Sequence, residues 1–208
     1  MIIGLTGTYC AGKNHVAAIL EKRGFPVLDV DKLGHQVLET EKQRIFTQFG
    51  SDLEKTDGSL DKRLLSQRVF GNPEKLAALE AIVHPEVNRL TDEWLAAQNS
   101  HCVVNAALLH KSSVFSKLDC IILVTAPFFT RLLRAKRRDK LSWQEILKRI
   151  ASQKDFNNQY LSINTSVKCA EIYKIENPGL EKTISISRNL KLEDRIDKIL
   201  EGITWKKK

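Results

Sequence analysis

The sequence predicts an α/β fold in which helices cover both faces of a five-stranded parallel sheet. Three observations support this fold. Short apolar runs without alternation recur along the chain, as expected of strands that are buried on both faces. Stretches in which apolar residues have helical spacing lie between these runs. One long stretch of helical pattern, residues 31–99, separates the second run from the third and predicts a helical insertion.

The individual elements follow from apolar periodicity and turn residues. We predict strands at residues 1–6, 25–31, 101–109, 120–124 and 171–175. We predict helices at residues 16–23, 32–39, 127–138, 143–153 and 192–200. Within the insertion, Asn72-Pro73 and His84-Pro85 are expected to break helices. Residues 182–190 are compatible with a strand or a helix.

Composition limits the class of protein. The chain has 208 residues, 42% of them hydrophobic, which is enough for one domain with a buried core. We expect a single domain, 1–208, with a core of residues 1–30, 100–128 and 155–208, the insertion 31–99 and a helical segment 129–154. No apolar run approaches the roughly 18 residues of a membrane span, and the first residues do not resemble a signal peptide. A cytoplasmic protein without a membrane partner is therefore expected.

The charge distribution indicates the kind of ligand. A net charge of +8 suits either nucleic acid or small polyanions. Basic residues concentrate at residues 131–138 and 206–208, without interleaved aromatic residues that could stack on bases. A phosphate-containing small molecule is therefore favoured, and no nucleic-acid partner is expected. The four cysteines have neither metal-ligand nor disulfide spacing and are expected to be reduced thiols.

A glycine-flanked loop between the first strand and the first helix carries the strongest functional signal. The residues expected to hold nucleotide phosphates are Gly7, Thr8, Tyr9, Cys10, Ala11, Gly12, Lys13, Asn14 and His15. The glycines let backbone N–H groups approach phosphate oxygens, and the helix N-terminus adds partial positive charge. Lys13 supplies an ammonium group for the β- and γ-phosphates of a bound nucleotide.

Two residues of this loop leave alternatives open. The residue after the lysine is commonly Ser or Thr, whose hydroxyl binds Mg²⁺, but here it is Asn14. The amide oxygen of Asn14 is either a ligand of Mg²⁺ or a helix cap. Cys10 lies near a helix N-terminus, where the pKa of a thiol can be lowered, and is either redox-sensitive or a passive small residue.

Two acids, Asp29 and Asp31, end the second predicted strand. In an open parallel sheet the carboxyl ends of the strands face the ligand, so we expect Asp31 to orient or deprotonate an attacking hydroxyl. The alternative is that one of the two acids only caps the next helix. His35 and His84 could contact a phosphorylated acceptor, although a hydrogen-bonded structural imidazole is the simpler interpretation of each.

The two helices predicted after the fourth strand are joined at a basic turn. Ser142 and Glu145 have the spacing of a capping box at the start of the second helix. We expect this pair of helices to close over the phosphates as a lid. Arg134, Arg138 and Arg149 would then stabilise charge on a transferring phosphoryl group, whereas the alternative is an exposed basic helix.

Taken together, these stretches resemble the dephospho-coenzyme A kinase family from residue 3 to about residue 179. The loop matches at Gly7, Gly12 and Lys13, and Asp29-Val30-Asp31 followed by His35 is similar to a D-x-D-x-x-x-H element of the family. The remaining similar stretches are Asp57-Gly58-Ser59-Leu60-Asp61, Leu79-Glu80-Ala81-Ile82-Val83-His84-Pro85, Arg134, Arg138-Asp139, residues 149–153 and Asn177-Pro178-Gly179.

The resemblance implies a three-layer P-loop kinase fold, in which residues 31–99 bind coenzyme A and residues 129–154 form the lid. It implies ATP-dependent phosphorylation of the ribose 3′-hydroxyl of dephospho-CoA, the last step of coenzyme A synthesis. The implied catalytic residues are Asp31, Lys13, Arg134 and Arg138, and the implied substrate contacts are Asp31, His35, His84 and Leu108. Arg138 and Asn177 join the loop in binding ATP, while Asn14 and, more weakly, Asp29 would contact Mg²⁺. A monomer that binds ATP, Mg²⁺ and dephospho-CoA is expected.

Two departures from the family pattern bear on activity. Family members usually carry Ser-Thr where this chain has Asn14-His15, which removes a hydroxyl ligand of the metal. They usually read like D-I-P-L-L-F-E where this chain has Asn105-Ala106-Ala107-Leu108-Leu109-His110-Lys111, which exchanges two acids for Asn105 and Lys111. The alternatives are therefore a weakly active or non-catalytic nucleotide- or CoA-binding homologue and another small-molecule kinase on the same fold.

Overall fold

The computed structural model of the chain describes residues 1–153, 156, 160, 171–178 and 185–205. The chain divides into two compact units, one of residues 28–99 and one of residues 1–27 and 100–208. The strands are β1 (Ile2–Gly7), β2 (Val27–Asp29), β3 (Cys102–Asn105), β4 (Cys120–Thr125) and β5 (Glu171–Glu176). The helices are α1 (Lys13–Lys22), α2 (Val30–Thr40), α3 (Lys42–Phe49), α4 (Lys62–Val69), α5 (Pro73–Ala96), α6 (Phe128–Asp139), α7 (Trp143–Ala151) and α8 (Ser185–Trp205).

The strands of the described residues form one five-stranded sheet in the order β2-β3-β1-β4-β5. Strand β1 pairs in parallel with both β3 and β4, and β4 pairs in parallel with β5. Leu5 stands opposite Asn105 on one side and opposite Ile122 on the other. The predicted five-stranded parallel sheet is confirmed, and its parallel strands bring their carboxyl ends to one edge.

Apolar residues of β1 and α1 form the centre of the core beneath this edge. Ile3 and Leu5 are fully buried, and Val16 and Leu20 pack into the same cluster together with Ile196 of α8. Residues 16 and 20 share one face of α1 because they are four positions apart. This packing holds α1 directly after the loop that follows β1, where a helix N-terminus can meet a ligand.

The bounds of β3 and α8 differ clearly from the sequence prediction. Strand β3 ends at Asn105, so the predicted strand 101–109 is wrong beyond that residue. The chain then forms a short 3₁₀ turn, Leu109–Lys111, in which Leu109 is fully buried. The apolar sequence extends beyond the end of the strand because Leu109 enters the core. Helix α8 begins at Ser185, which makes the unassigned stretch helical from there onward. Residues 182–184, Cys169, Gly179 and 206–208 lie outside the described residues.

The unit of residues 28–99 contains α2 to α5 around a core of its own, which includes Ile45, Leu53 and Leu65. The predicted break at Asn72-Pro73 is confirmed, since α4 ends at Val69 and α5 begins at Pro73, where Asn72 Oδ1 accepts a hydrogen bond from Lys75 N at 3.0 Å. No helix in the described part of the chain is long and apolar enough to cross a membrane.

The predicted break at His84-Pro85 is wrong, because α5 runs through Pro85 to Ala96. A proline inside a helix removes one backbone hydrogen bond and costs about 3 kcal/mol. Ile82 and Val87, on either side of the proline, are both buried. Burial of two large aliphatic side chains offsets a penalty of this size, so packing overrides the local signal.

Candidate active site

The loop between β1 and α1 needs glycine at both ends. A Cβ atom on Gly7 would lie 2.6 Å from the carbonyl oxygen of Val124 on the neighbouring strand. Gly12 has φ 95° and is the N-cap of α1, and a Cβ atom there would collide with the side chain of Asn177. No side chain of the described residues caps α1, so its N-terminus, with its partial positive charge, adjoins the loop without a capping oxygen. A turn with these properties binds oxyanions.

Cys10 takes up a left-handed conformation inside this loop, with φ 58°. That conformation disfavours a residue with a Cβ atom, and it persists because the surrounding contacts hold the loop. Burial raises the pKa of the Cys10 thiol, and the nearby charges of Arg138 and Arg131 offset only part of this rise. The raised pKa favours the interpretation of Cys10 as a passive small residue over that of a redox-sensitive thiol.

Arg134 and Asn177 hold the loop in place. The Arg134 guanidinium donates to the carbonyl oxygen of Ala11 at 2.9 Å and to Asn177 Oδ1 at 3.1 Å. Asn177 Nδ2 in turn donates to the same Ala11 oxygen at 3.0 Å. Burial lowers the pKa of Arg134 below its usual range, and the described residues give it no carboxylate partner. The arrangement leaves a cationic group next to the loop with its charge unpaired.

Arg131, one turn earlier on α6, was not singled out from the sequence. Its Nε donates to the carbonyl oxygen of Tyr9 at 2.8 Å, while its Nη2 is buried and has no hydrogen-bond partner among the described residues. A cavity of about 380 Å³ adjoins it. The lining residues are Thr8, Phe128, Arg131, Leu147, Ile150, Ala151 and Gln153. The spacing of Arg131 and Arg134 places them on one face of a helix, and this spacing could have identified Arg131.

Arg138 is in a different state, because it already has a counter-ion. Its Nε donates to Asp139 Oδ1 at 2.6 Å, and its guanidinium lies 5.3 Å from the centre of the Tyr9 ring. The Tyr9 hydroxyl also donates to Asp139. The hydrogen bond from the Arg138 guanidinium lowers the pKa of Asp139. The Arg149 guanidinium lies 6.0 Å from the centre of the same Tyr9 ring.

The predicted capping box of α7 is confirmed, since Ser142 Oγ and the Glu145 carboxylate accept each other's backbone N–H.

The side chains of Asn14 and Asn105 meet at the carboxyl end of the sheet. Asn105 Nδ2, at the end of β3, donates to Asn14 Oδ1 at 3.3 Å. Asn14 is the second residue of α1, whose N-cap is Gly12, so the interpretation of Asn14 as a helix cap is wrong. Its amide oxygen is an oxygen donor of the kind that Mg²⁺ prefers.

Four of the predicted residues, Asp29, Asp31, His35 and His84, belong to the unit of residues 28–99. Strand β2 ends at Asp29, whose carboxylate caps α2 by accepting from Lys32 N at 3.1 Å. Asp31 therefore lies in the first turn of α2, and the prediction of a strand up to residue 31 is wrong. Asp31 and His35 are exposed and four residues apart on α2, and His84 is exposed on α5.

A strand, a glycine-flanked loop with a lysine at the start of the following helix, and arginines without carboxylate partners define a P-loop kinase. The family model for dephospho-CoA kinase matches residues 1–169. The chain belongs to the dephospho-CoA kinase family.

Relatives and solved structures agree with this assignment. The dephospho-CoA kinase of Thermus thermophilus is 39% identical over 154 residues, which cover 74% of this chain and 75% of that protein. That of Carboxydothermus hydrogenoformans is 32% identical over 99% of this chain and 95% of its own length. The crystal structure of TT1252 from Thermus thermophilus has a TM-score of 0.73 at 32% identity, covering 92% of this chain and 94% of that chain. Dephospho-CoA kinase from Campylobacter jejuni shares the fold, with a TM-score of 0.67 at 24% identity, covering 100% and 98% of the two chains.

Proposed function

We propose that this chain transfers the γ-phosphoryl group of ATP to the ribose 3′-hydroxyl of dephospho-CoA, which produces coenzyme A. Family membership supports the choice of substrate. The observation that carries the chemistry is the loop itself, where an uncapped helix N-terminus begins at a left-handed glycine beside an unpaired, partly buried arginine. Such a site stabilises a polyphosphate and the charge that moves during its transfer.

The loop residues bind and orient the nucleotide in this proposal. The backbone N–H groups of the loop and the ammonium group of Lys13 hold the phosphates, and Asn177 lies beside the loop where ATP would be contacted. Arg134 stabilises charge on the moving phosphoryl group, and Arg138 adds a second cation at longer range. Catalysis then consists of positioning and electrostatic stabilisation without a covalent intermediate.

Mg²⁺ is proposed to accompany ATP. Asn14 offers an exposed amide oxygen at the start of α1, and Asp29 is a weaker candidate because its carboxylate already caps α2. Among the described residues no three His, Cys, Asp or Glu side chains form a metal-binding cluster. Mg²⁺ commonly binds through substrate phosphates, water and one or two protein oxygens, so one amide oxygen and one carboxylate would suffice here. The ion would neutralise phosphate charge.

The acceptor side of the proposal rests on residues that match the family's motifs. Asp31 orients the ribose hydroxyl and accepts its proton, while His35, His84 and Leu108 contact dephospho-CoA. Asp31, His35 and His84 are exposed, and Leu108 is about half exposed at 49%, so all four are accessible to a ligand. Residues 31–99 serve as the CoA-binding subdomain and residues 129–154 as the lid. A cytoplasmic monomer is proposed, and light scattering of the purified chain tests the monomer.

The direct test is product analysis with ATP, Mg²⁺ and dephospho-CoA. We expect coenzyme A phosphorylated at the 3′ position, and turnover should fall about 10²- to 10⁴-fold in Asp31→Asn, because the variant lacks a proton acceptor. ATP affinity should remain within about twofold, since Asp31 does not bind the nucleotide in this proposal. Asp92→Asn on α5 serves as the matched control and should keep full turnover.

Two outcomes would reject the proposal in different ways. The replacement of a hydroxyl and an acid by Asn14 and Asn105 favours a non-catalytic sensor as the second candidate. Tight binding of ATP and dephospho-CoA without any product would support that sensor. Phosphorylation of another hydroxyl compound in preference to dephospho-CoA would instead indicate a different small-molecule kinase on this fold.

A further inference from the structure

The two residues that replace a hydroxyl and a carboxylate of the family pattern are in contact with each other. Asn14 and Asn105 are 91 positions apart, yet Asn105 Nδ2 donates to Asn14 Oδ1 at 3.3 Å. Asn105 is 2% exposed, whereas Asn14 is exposed in the first turn of α1. The pair therefore consists of a buried residue that holds an exposed one.

The buried residue also carries an unused acceptor. Asn105 Oδ1 is buried and has no hydrogen-bond partner in the described part of the chain. A buried amide oxygen without a partner costs free energy that folding alone does not recover. Its presence at the carboxyl end of the central strands, next to the phosphate loop, points to a hydrogen-bond donor that arrives with a ligand.

We propose that Asn14 and Asn105 act as one unit that holds the divalent cation of the nucleotide complex, a role that rests on the proposed function. Asn14 offers its amide oxygen to the cation, and Asn105 is a positioning residue. By donating to Asn14 Oδ1, Asn105 fixes the orientation in which the oxygen, and not the NH₂ group, of Asn14 is presented. The oxygen keeps a second lone pair for the cation. Asn105 Oδ1 accepts from a water molecule of the hydration shell that Mg²⁺ usually retains.

This hydrogen bond runs in the direction opposite to that of a hydroxyl–carboxylate pair. In such a pair the helix residue donates and the strand residue accepts, whereas here Asn105 on the strand donates to Asn14 on the helix. A carboxylate at position 105 could only accept, so Asn14 would have to turn its NH₂ group toward it and withdraw its oxygen. The two positions are therefore matched, and a change at one is harmful unless the other changes with it.

Binding of Mn²⁺ tests this pairing without any turnover. The affinity of the full chain with a non-hydrolysable ATP analogue is measured from the electron paramagnetic resonance signal of free Mn²⁺. We expect Asn105→Asp to weaken Mn²⁺ binding about tenfold, although it adds a negative charge, because the ligand Asn14 loses its orientation. Asn14→Ser should weaken binding to a similar extent, and the double variant should return to within about threefold of the parent.

A second variant separates positioning from folding. Asn105→Leu keeps the number and branching of the side-chain heavy atoms, cannot donate and removes the unsatisfied oxygen, so thermal stability should stay equal or rise while Mn²⁺ affinity falls about tenfold. A merely structural asparagine would give lower stability with unchanged affinity. This variant also decides the matter if Asn105→Asp does not fold.

The matched control is Asn72→Asp, which makes the same change of amide to carboxylate at the N-cap of α5, a role that Asp fills equally well. Its Mn²⁺ affinity should be unchanged. Tighter Mn²⁺ binding by Asn105→Asp would overturn the pairing. So would a double variant whose loss of Mn²⁺ affinity equals the product of the losses in the two single variants. A chain that shows the reversal yet does not phosphorylate dephospho-CoA would keep the pairing and reject the proposed function.

Discussion

Two groups of arginines among the described residues differ in their hydrogen-bond partners. In the unit of residues 28–99, Arg68 pairs with Asp52 at 2.5 Å and Arg89 pairs with Glu86 at 2.6 Å. Hydrogen bonds to these carboxylates raise the pKa of both arginines. Beside the phosphate loop, Arg131 and Arg134 are partly buried and donate to backbone carbonyl oxygens, and burial lowers the pKa of each.

Whether an arginine has a carboxylate partner indicates whether its charge is available to a ligand. An exposed arginine paired with a carboxylate gains little and costs little. A partly buried guanidinium without a carboxylate loses hydration that a carbonyl oxygen restores only in part. The protein tolerates this cost at Arg131 and Arg134, as expected if a bound polyphosphate supplies the missing negative charge.

The largest expected effect comes from removing the charge that touches the loop. Arg134→Gln should lower turnover about 10³-fold, because a well-placed arginine stabilises the transferring phosphoryl group. Arg134→Lys should recover only part of this loss, since a lysine lacks the forked geometry that reaches Ala11 and Asn177 together. Single-turnover rates provide the measurement. A loss below about threefold would remove Arg134 from the proposed mechanism.

Replacement of Arg131 is expected to have a smaller effect on function than replacement of Arg134, and to raise thermal stability. Arg131→Gln can still donate to the Tyr9 carbonyl oxygen but removes the buried, unpartnered Nη2. The thermal midpoint should therefore rise, while ATP affinity, measured by calorimetry, should fall about tenfold. If the thermal midpoint and the ATP affinity fell together, Arg131 would be a structural residue and not a cation that binds the ligand.

No change in chemistry is expected when a paired arginine is altered. Arg68→Gln breaks the ion pair with Asp52 on the surface of the helical unit. The pKa of Asp52, which Arg68 lowers, should return toward its ordinary value. Turnover should match the parent, and the loss of thermal stability should shrink only in part at high salt, because salt screens the ion pair but not the hydrogen bond that Arg68 Nη1 donates to the carbonyl oxygen of Phe49. Reduced turnover in Arg68→Gln would contradict the claim that arginines paired with carboxylates take no part in the reaction.

The smallest effect concerns pH and the half-buried His110. Burial and the charge of Lys111 lower the pKa of His110 below its ordinary 6.5. The unfolded chain then binds the proton first as the pH falls, so stability is greatest above about pH 7 and declines through the lower, folded pKa. Urea unfolding from pH 8 to pH 5 should show a shallower decline for His110→Gln than for the parent. Equal slopes would mean that His110 does not contribute.

The sequence predicts well the features that depend on neighbouring residues. The spacing of Gly7 and Gly12 located the loop, and Ser142 with Glu145 located the start of α7, because turns and caps are decided over a few positions. It failed at Pro85, where packing inside α5 overrides the proline.

Contacts between distant positions were beyond reach of the sequence. Asn14 and Asn105 meet only because β3 lies beside β1, and this strand order is set by the whole sheet. The unpaired state of Arg131 likewise depends on which residues surround it and not on its own position in the chain.

The missing cap of α1 has a consequence for how this protein responds to its nucleotide. Helix α1 begins at Lys13 with Gly12 as its N-cap, and no side chain of the described residues caps it, so in the proposed complex phosphate oxygens would complete the helix that binds them. Amide hydrogen exchange in the first turn of α1 should therefore be fast in the empty protein and slow once the triphosphate is in place. Nucleotide binding would therefore complete the folding of the first turn of α1.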